Sequence, residues 1–235
     1  MSENLSNLEI IERFKRLRVT DVRDGMDWMG YHHYGTVHHS IRPLFRPESS
    51  AVGIARTCRY VPYEGPVPAL HPEDYREWVL MYYDKICPDP FRNYTLNQGD
   101  FLCYDIAGLD VGVLGSNCTL DYMKKGIAGF LTNGGGVRDT DECIAEKVNV
   151  WSKYVSQPMD QARIRHVETD IPIAVGGVAI YPGDVIVADG DGVISVPRKI
   201  AQDVAKYAWQ EAGADKETRK KLYIELGMPL DDTVV

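Results

Sequence analysis

Apolar residues recur along the first thirty positions at helical intervals. Leu8, Ile11, Phe14 and Leu17 stand three apart with charged residues between them, the pattern of a helix burying one face. The spacing predicts a helix over 8–18. Thr20 and Asp21 open a second, with Val22, Met26 and Met29 on one side and Gly30 ending it. Residues 50–61 are rich in β-branched and small apolar types and predict a strand. The next stretch, 62–97, is an irregular insert broken by Pro62, Pro66, Pro68, Pro72, Pro88 and Pro90, with an aromatic-rich helix expected over 73–85.

Beyond position 100 the pattern sharpens. Strands are expected at 101–106, 129–132, 171–180, 184–188 and 192–196, and helices at 118–125 and 139–148. Gly190-Asp191-Gly192 reads as a hairpin turn. A helical tail covers about 198–227, drawn as two helices over 198–212 and 215–226, the second closed by Gly227 and Pro229. Hairpins and β-loop-α units occur together, so the expected fold class is α/β, a layered mixed sheet with N-terminal and C-terminal helices. A length of 235 residues, with no repeat or linker, points to one domain over 1–235.

Charge narrows the function classes. Lys and Arg number 26 against 34 Asp and Glu, for a net charge of −8 and a pI near 5.3. That balance argues against a general nucleic-acid or anionic-membrane binder, each of which needs a basic face, and leaves room for a local basic pocket. No apolar run approaches the ~18–20 residues of a membrane span. The polar start Met1-Ser2-Glu3-Asn4 is unlike a signal peptide, and the five cysteines are odd in number with no CxxC pair. A reducing cytoplasm is the expected location.

Two glycine-rich segments carry candidate chemistry. In Thr132-Asn133-Gly134-Gly135-Gly136-Val137-Arg138-Asp139-Thr140-Asp141-Glu142, three glycines between a strand and a helix can bring backbone close to a ligand. Arg138 offers a planar fork for a carboxylate, and the acidic residues after it offer hard oxygen donors to a divalent cation. The competing reading makes Asp139 and Glu142 a capping box. In Gly112-Val113-Leu114-Gly115-Ser116-Asn117-Cys118-Thr119, a helix start capped by Ser116 or Asn117 could present amides to an anion, or be only a capped helix after a turn. Neither segment is a P-loop or a dinucleotide fingerprint. His32, His33, His38 and His39 lack a regular ligand spacing, so a pocket wall or subunit contact is favoured over a metal. Cys118 has no nameable histidine partner, and Ser116 lacks the GxSxG elbow.

The run Gly134 to Glu142, followed by Val175-Gly176-Gly177-Val178, by Tyr181-Pro182-Gly183-Asp184 through Asp189, and by Asp191-Gly192-Val193, resembles the RraA-like family, which includes 4-hydroxy-4-methyl-2-oxoglutarate aldolases. Thr20 to Met26 and Ile41-Arg42-Pro43-Leu44 resemble its early segments, so the likeness spans roughly 20–200. The resemblance implies a trimer or hexamer with sites between subunits, and a divalent metal, Mg²⁺ or Mn²⁺, that chelates an oxo-acid substrate. It assigns substrate contact to Arg138 and metal binding to Asp139, the catalytic pair. The substrate carboxylate falls to the backbone of the Gly115-Ser116-Asn117-Cys118 segment. The family's Gly-Glu stands here as Gly115-Ser116, and the leading Asp of its second loop as Gly134, which puts the exact substrate in doubt. The implied activity is retro-aldol cleavage of a 4-hydroxy-2-oxo acid to pyruvate, or decarboxylation of an oxaloacetate-like β-keto acid. The alternative is a non-catalytic protein-binding regulator on the same trimeric scaffold, a branch that lacks the aspartate present here as Asp139. A methyltransferase reading is opposed by the absence of a GxGxG loop after a first strand. The aromatic insert, with Tyr75, Trp78, Tyr82 and Tyr83, is expected to cover the site entrance or a subunit contact.

Overall fold

The computed structural model describes residues 5–235. Helix α1 (Asn7–Phe14) starts where the sequence caps it: the Ser6 hydroxyl accepts from the Glu9 amide, and the Glu9 carboxylate accepts from the Ser6 amide at 2.8 Å. Ile10 and Phe14 form its buried face. Helix α2 (Val19–Trp28) buries Val22 and Met26, as their spacing predicts. Helix α6 (Ala201–Glu225) packs across α2 through Ala201, Val204, Ala205 and Ala208. The two expected C-terminal helices are therefore one, entered through a 3₁₀ turn at Arg198–Ile200. Gly213 does not break it, because a glycine in an exposed helix costs only about 1 kcal/mol.

Among the described residues ten strands form the sheets: β1 (Arg42–Pro43), β2 (Ala51–Pro62), β3 (Asp100–Asp105), β4 (Gly129–Thr132), β5 (Val150–Ser152), β6 (Ile164–Thr169), β7 (Ile173–Val175), β8 (Val178–Ile180), β9 (Val185–Ala188) and β10 (Val193–Val196). The main sheet runs β1-β5-β4-β3-β2-β9-β10, with β6 also paired to β2. Strands β2 to β5 are mutually parallel, whereas β6 and β9 meet β2 antiparallel. The twelve-residue β2 pairs with β9 through its first half and with β6 through its second. The stretch 171–180, expected as one strand, is instead the hairpin β7–β8. It reverses at Gly176-Gly177, both at positive φ, as a two-residue hairpin turn requires.

Alternation along the strands divides the interior. In β3, Phe101 and Cys103 face a core shared with Trp151, Val175 and Ile186, while Leu102 and Tyr104 face one shared with Phe130 and the insert. Helix α3 (Tyr75–Lys85) docks on the second of these: Tyr82 is fully buried and Trp78 packs beside it. The insert's aromatic residues thus turn largely onto their own chain. Among the described residues, no helix is long and apolar enough to cross a membrane.

Gly25 marks the crossing of α2 and α6. A Cβ there would stand 2.5 Å from the Val204 carbonyl oxygen and 3.0 Å from the Ala208 nitrogen. Helix propensity alone favours alanine by about 1 kcal/mol, while overpacking costs about 1–3 kcal/mol. The backbone contact decides the sign, so Gly25→Ala is expected to be net destabilising. Urea unfolding checks this; a midpoint at or above that of the unaltered protein would refute the crossing.

Candidate active site

Parallel strands β3 and β4 end side by side, and the loops leaving them build the site, the usual position in α/β sheets. Asn133, the first residue after β4, ties them together. Its Oδ1 accepts from the amides of Ile106 (2.9 Å) and Gly108 (3.3 Å), and its Nδ2 donates to Asp105 Oδ1 (2.6 Å). The Asp105 carboxylate is held in turn by Arg59 Nε at 3.3 Å. Beyond Asn133 the two loops pair through their main chains. The Gly136 amide donates to Val111 O, the Leu114 amide to Gly136 O and the Arg138 amide to Leu114 O, each at 2.8 Å. On the far side the Ser156 amide donates to Val137 O at 2.9 Å.

The three glycines at 134–136 serve this packing and not a ligand. All are buried, and a Cβ at Gly134 would lie 2.6 Å from the Leu109 carbonyl, while one at Gly135 or Gly136 would collide with Ser156 or Thr132. The close approach that matters for chemistry falls on the other loop. A Cβ at Gly112 would stand 3.0 Å from the Arg138 stem, and one at Gly115 would stand 2.6 Å from Asp139 Oδ2. Glycine at 112 and 115 thus lets the side chains of Arg138 and Asp139 lie directly over the segment that starts the next helix.

Helix α4 (Ser116–Lys124) has Gly115 as its N-cap, not Ser116 or Asn117. Cys118 supplies the cap, its thiol sulfur accepting from the Gly115 amide at 3.2 Å. The first intrahelical bond runs from the Thr119 amide to Gly115 O, so the amides of Asn117 and Cys118 lie before it, at the positive end of the helix. Helix α5 (Thr140–Ala145) begins after Asp139, but the expected capping box is not formed. Asp139 sits in the left-handed region, φ 55° and ψ 45°, and its side chain makes no cap bond. The carboxylate instead accepts from the Ser116 amide (3.3 Å) and from Arg138 Nε (3.3 Å). Arg138, Asp139, the α4 start and Cys118 are therefore brought together, as the sequence expectation grouped them.

The pair opens onto a cleft of about 560 Å³ whose other wall is Val155, Ser156 and Gln157. No motif marks those three residues in the sequence; the main-chain pairing of Val155 with Val137 places them. Among the described residues, no three His, Cys, Asp or Glu side chains gather as a ready metal cage. Asp139 nonetheless fits a cation of the Mg²⁺ type, which takes one or two carboxylates and keeps water. Its side chain is 36% exposed, and the carboxylate makes no bond to the start of its own helix. The histidines stand elsewhere. The rings of His38 and His39 lie 4.0 Å apart, tilted by 33°, beside Ser40, and His32 Nδ1 lies 3.3 Å from Asp27.

Comparison with known proteins follows the geometry. Residues 19–195 match the family model described as RraA-like, Aldolase/RraA. Protein DlpA of Legionella pneumophila is 27% identical over 70% of this chain and 24% of its own length. The 4-hydroxy-4-methyl-2-oxoglutarate aldolase of Thermus thermophilus is 33% identical over 42% of this chain and 60% of its own. The chain thus spans less than two thirds of the length of these relatives. Among solved structures, Streptomyces coelicolor RraAS2, described as an unusual member of the RNase ES inhibitor RraA protein family, superposes with a TM-score of 0.70 at 23% identity. That match covers 91% of this chain and 97% of the other.

Burial of Cys118 sets its reactivity. Burial pushes the thiol up to about 11, offset in part by the bond from Gly115. A thiol held neutral is a poor nucleophile. Iodoacetamide at pH 8 should therefore modify Cys118 roughly 100-fold more slowly than an unperturbed cysteine, with the rate rising as pH climbs toward the raised value. Peptide mass spectrometry reads this directly; rapid labelling at pH 8 would contradict the burial of the thiol.

Proposed function

The chain belongs to the RraA-like family, and on that footing we propose that it is a divalent-metal-dependent carbon–carbon lyase acting on a small oxo acid. The reaction is retro-aldol cleavage of a 4-hydroxy-2-oxo acid to pyruvate, or decarboxylation of an oxaloacetate-like β-keto acid. The observation that carries the reading is the convergence of Arg138 and Asp139 over the amino terminus of α4, at the mouth of an open cleft.

In this reading the substrate carboxylate lies against the amides of Asn117 and Cys118, where a helix start favours negative charge. Asp139 would hold the cation, Mg²⁺ or Mn²⁺, which when bound supplies Lewis-acid polarisation of the substrate's keto oxygen. Both candidate reactions break a carbon–carbon bond and leave its electron pair on a pyruvate-type enolate. The Arg138 guanidinium, 31% exposed, faces that developing charge with a rigid fork of donors. The Ser116 amide and Arg138 Nε hold the Asp139 carboxylate in place between turnovers. We further infer that the chain assembles as a trimer or hexamer, a second subunit enclosing the cleft, which is open on one side in the single chain. Light scattering at micromolar concentration should give three or six times the chain mass, and a monomer mass would remove the shared site.

Substitutions at the pair separate chemistry from folding. Arg138→Lys keeps the charge and loses the parallel bonds, so a contact made mainly in the transition state should cost roughly 2–4 kcal/mol. That is about a 30- to 1000-fold loss in kcat/KM with little change in Tm. Asp139→Asn suits the left-handed backbone and can still accept from Ser116, so it should fold normally while losing metal affinity and turnover. The measurement is pyruvate release from a panel of hydroxy-oxo acids and oxaloacetate, with Mg²⁺, with Mn²⁺ and with EDTA. EDTA-insensitive turnover in Asp139→Asn would overturn the metal assignment. A protein inert toward the whole panel and binding no divalent ion would favour the regulator reading.

A further inference from the structure

A second cavity lies on the other side of the α4 start, between the insert and the sheet. It measures about 210 Å³, below the roughly 300–1,000 Å³ of drug-sized pockets, which suits a ligand of a few heavy atoms. Its walls carry four tyrosines, Tyr60, Tyr83, Tyr104 and Tyr122, and three carboxylates, of which Asp121 is paired with Lys125 and Asp89 and Asp160 are not. No lysine, arginine or histidine lines it.

Asp160 is the enclosed one of the two unpaired carboxylates, and Asp89 is exposed. Asp160 Oδ1 accepts from the Tyr83 hydroxyl (2.7 Å) and Oδ2 from the Cys87 thiol (3.6 Å). Asp89 Oδ1 accepts from the Tyr122 hydroxyl (2.6 Å) and the Phe91 amide (2.9 Å). Among the described residues neither has an ion-pair partner. Asp160 is desolvated enough that burial raises its pKa. A carboxylate withdrawn from water is ordinarily matched by a cation. The Lys125 ammonium is already committed: it bonds Asp121 at 2.6 Å and stands 5.1 Å from the Tyr122 ring centroid. The Tyr60 hydroxyl makes no hydrogen bond to any described residue, although the side chain is 4% exposed. Stacked Tyr60 and Tyr104, 6.5 Å apart and 15° from parallel, complete an electron-rich wall.

We propose that this cavity binds a small organic cation, a primary or quaternary ammonium. Tyrosine rings attract a desolvated ammonium through their quadrupoles, and the two unpaired carboxylates supply the countercharge. The site is distinct from the Arg138–Asp139 cleft, whose helix start and guanidinium select anions. The two cavities have no lining residue in common, so the proposal stands whether or not the lyase reading holds.

The test uses the full chain and calorimetric titration with choline, alongside 3,3-dimethylbutan-1-ol, its uncharged isostere. Choline is expected to bind saturably at one site per chain, with the alcohol weaker by roughly tenfold or more. Asp160→Asn should lower choline affinity by a similar factor. Because that change could unseat the insert, Asp89→Asn, which keeps an acceptor for Tyr122 and Phe91, gives a second reading in the same direction. Absence of saturable choline heat, equal binding of the alcohol, or affinity unchanged in both variants would overturn the proposal and leave the cavity a packing void.

Discussion

The site depends on one contact between two backbones. The segment 109–115 pairs with 134–138 through main-chain hydrogen bonds, and those bonds are possible only where side chains are missing from the meeting surfaces. Once Leu114 is locked to Gly136 and Arg138, the chain has a single short step in which to turn into α5. It makes that step with Asp139 in the left-handed region. The conformation that costs an L-residue about 1 kcal/mol or more is the one that swings the carboxylate off its own helix and over another. Position, orientation and electrostatic setting of the acidic group all descend from that pairing.

Much of the fold was legible because burial writes a period into the sequence. The faces of α1 and α2, the long β2 and the β9–β10 hairpin follow from spacing and turn residues. Short strands were less visible. β5 has three residues and β6 buries only its two end residues, Ile164 and Thr169; both are defined by the partners they meet. The hairpin at 171–180 hid because a two-residue turn interrupts an otherwise apolar stretch. α6 read as two helices because a local breaker was weighed without knowing that its first turns are anchored on α2.

The site was legible as two lists and not as one object. Arg138 and Asp139 announced themselves by type, and the α4 start by its glycines, but their contact is long-range. The capping box failed for a tertiary reason: the acceptor that should have capped α5 is engaged by Ser116. The triple glycine misled in a similar way, since the need for space came from neighbouring loops. Cys118 inverts its sequence appearance too. A thiol at a helix start suggests activation, yet here it faces inward, caps the helix and is held neutral.

The left-handed conformation at position 139 also acts as a filter on which residue can live there. Glycine and asparagine accept such a backbone but bring no charge; glutamate brings charge but lacks the short side chain that makes the conformation tolerable. The backbone tolerates aspartate at low cost, and the proposed chemistry asks for a carboxylate, so aspartate meets both demands at once. Under that proposal the shape of the loop and the reaction constrain one position together, and a change that relaxed the backbone would release part of the chemical constraint with it.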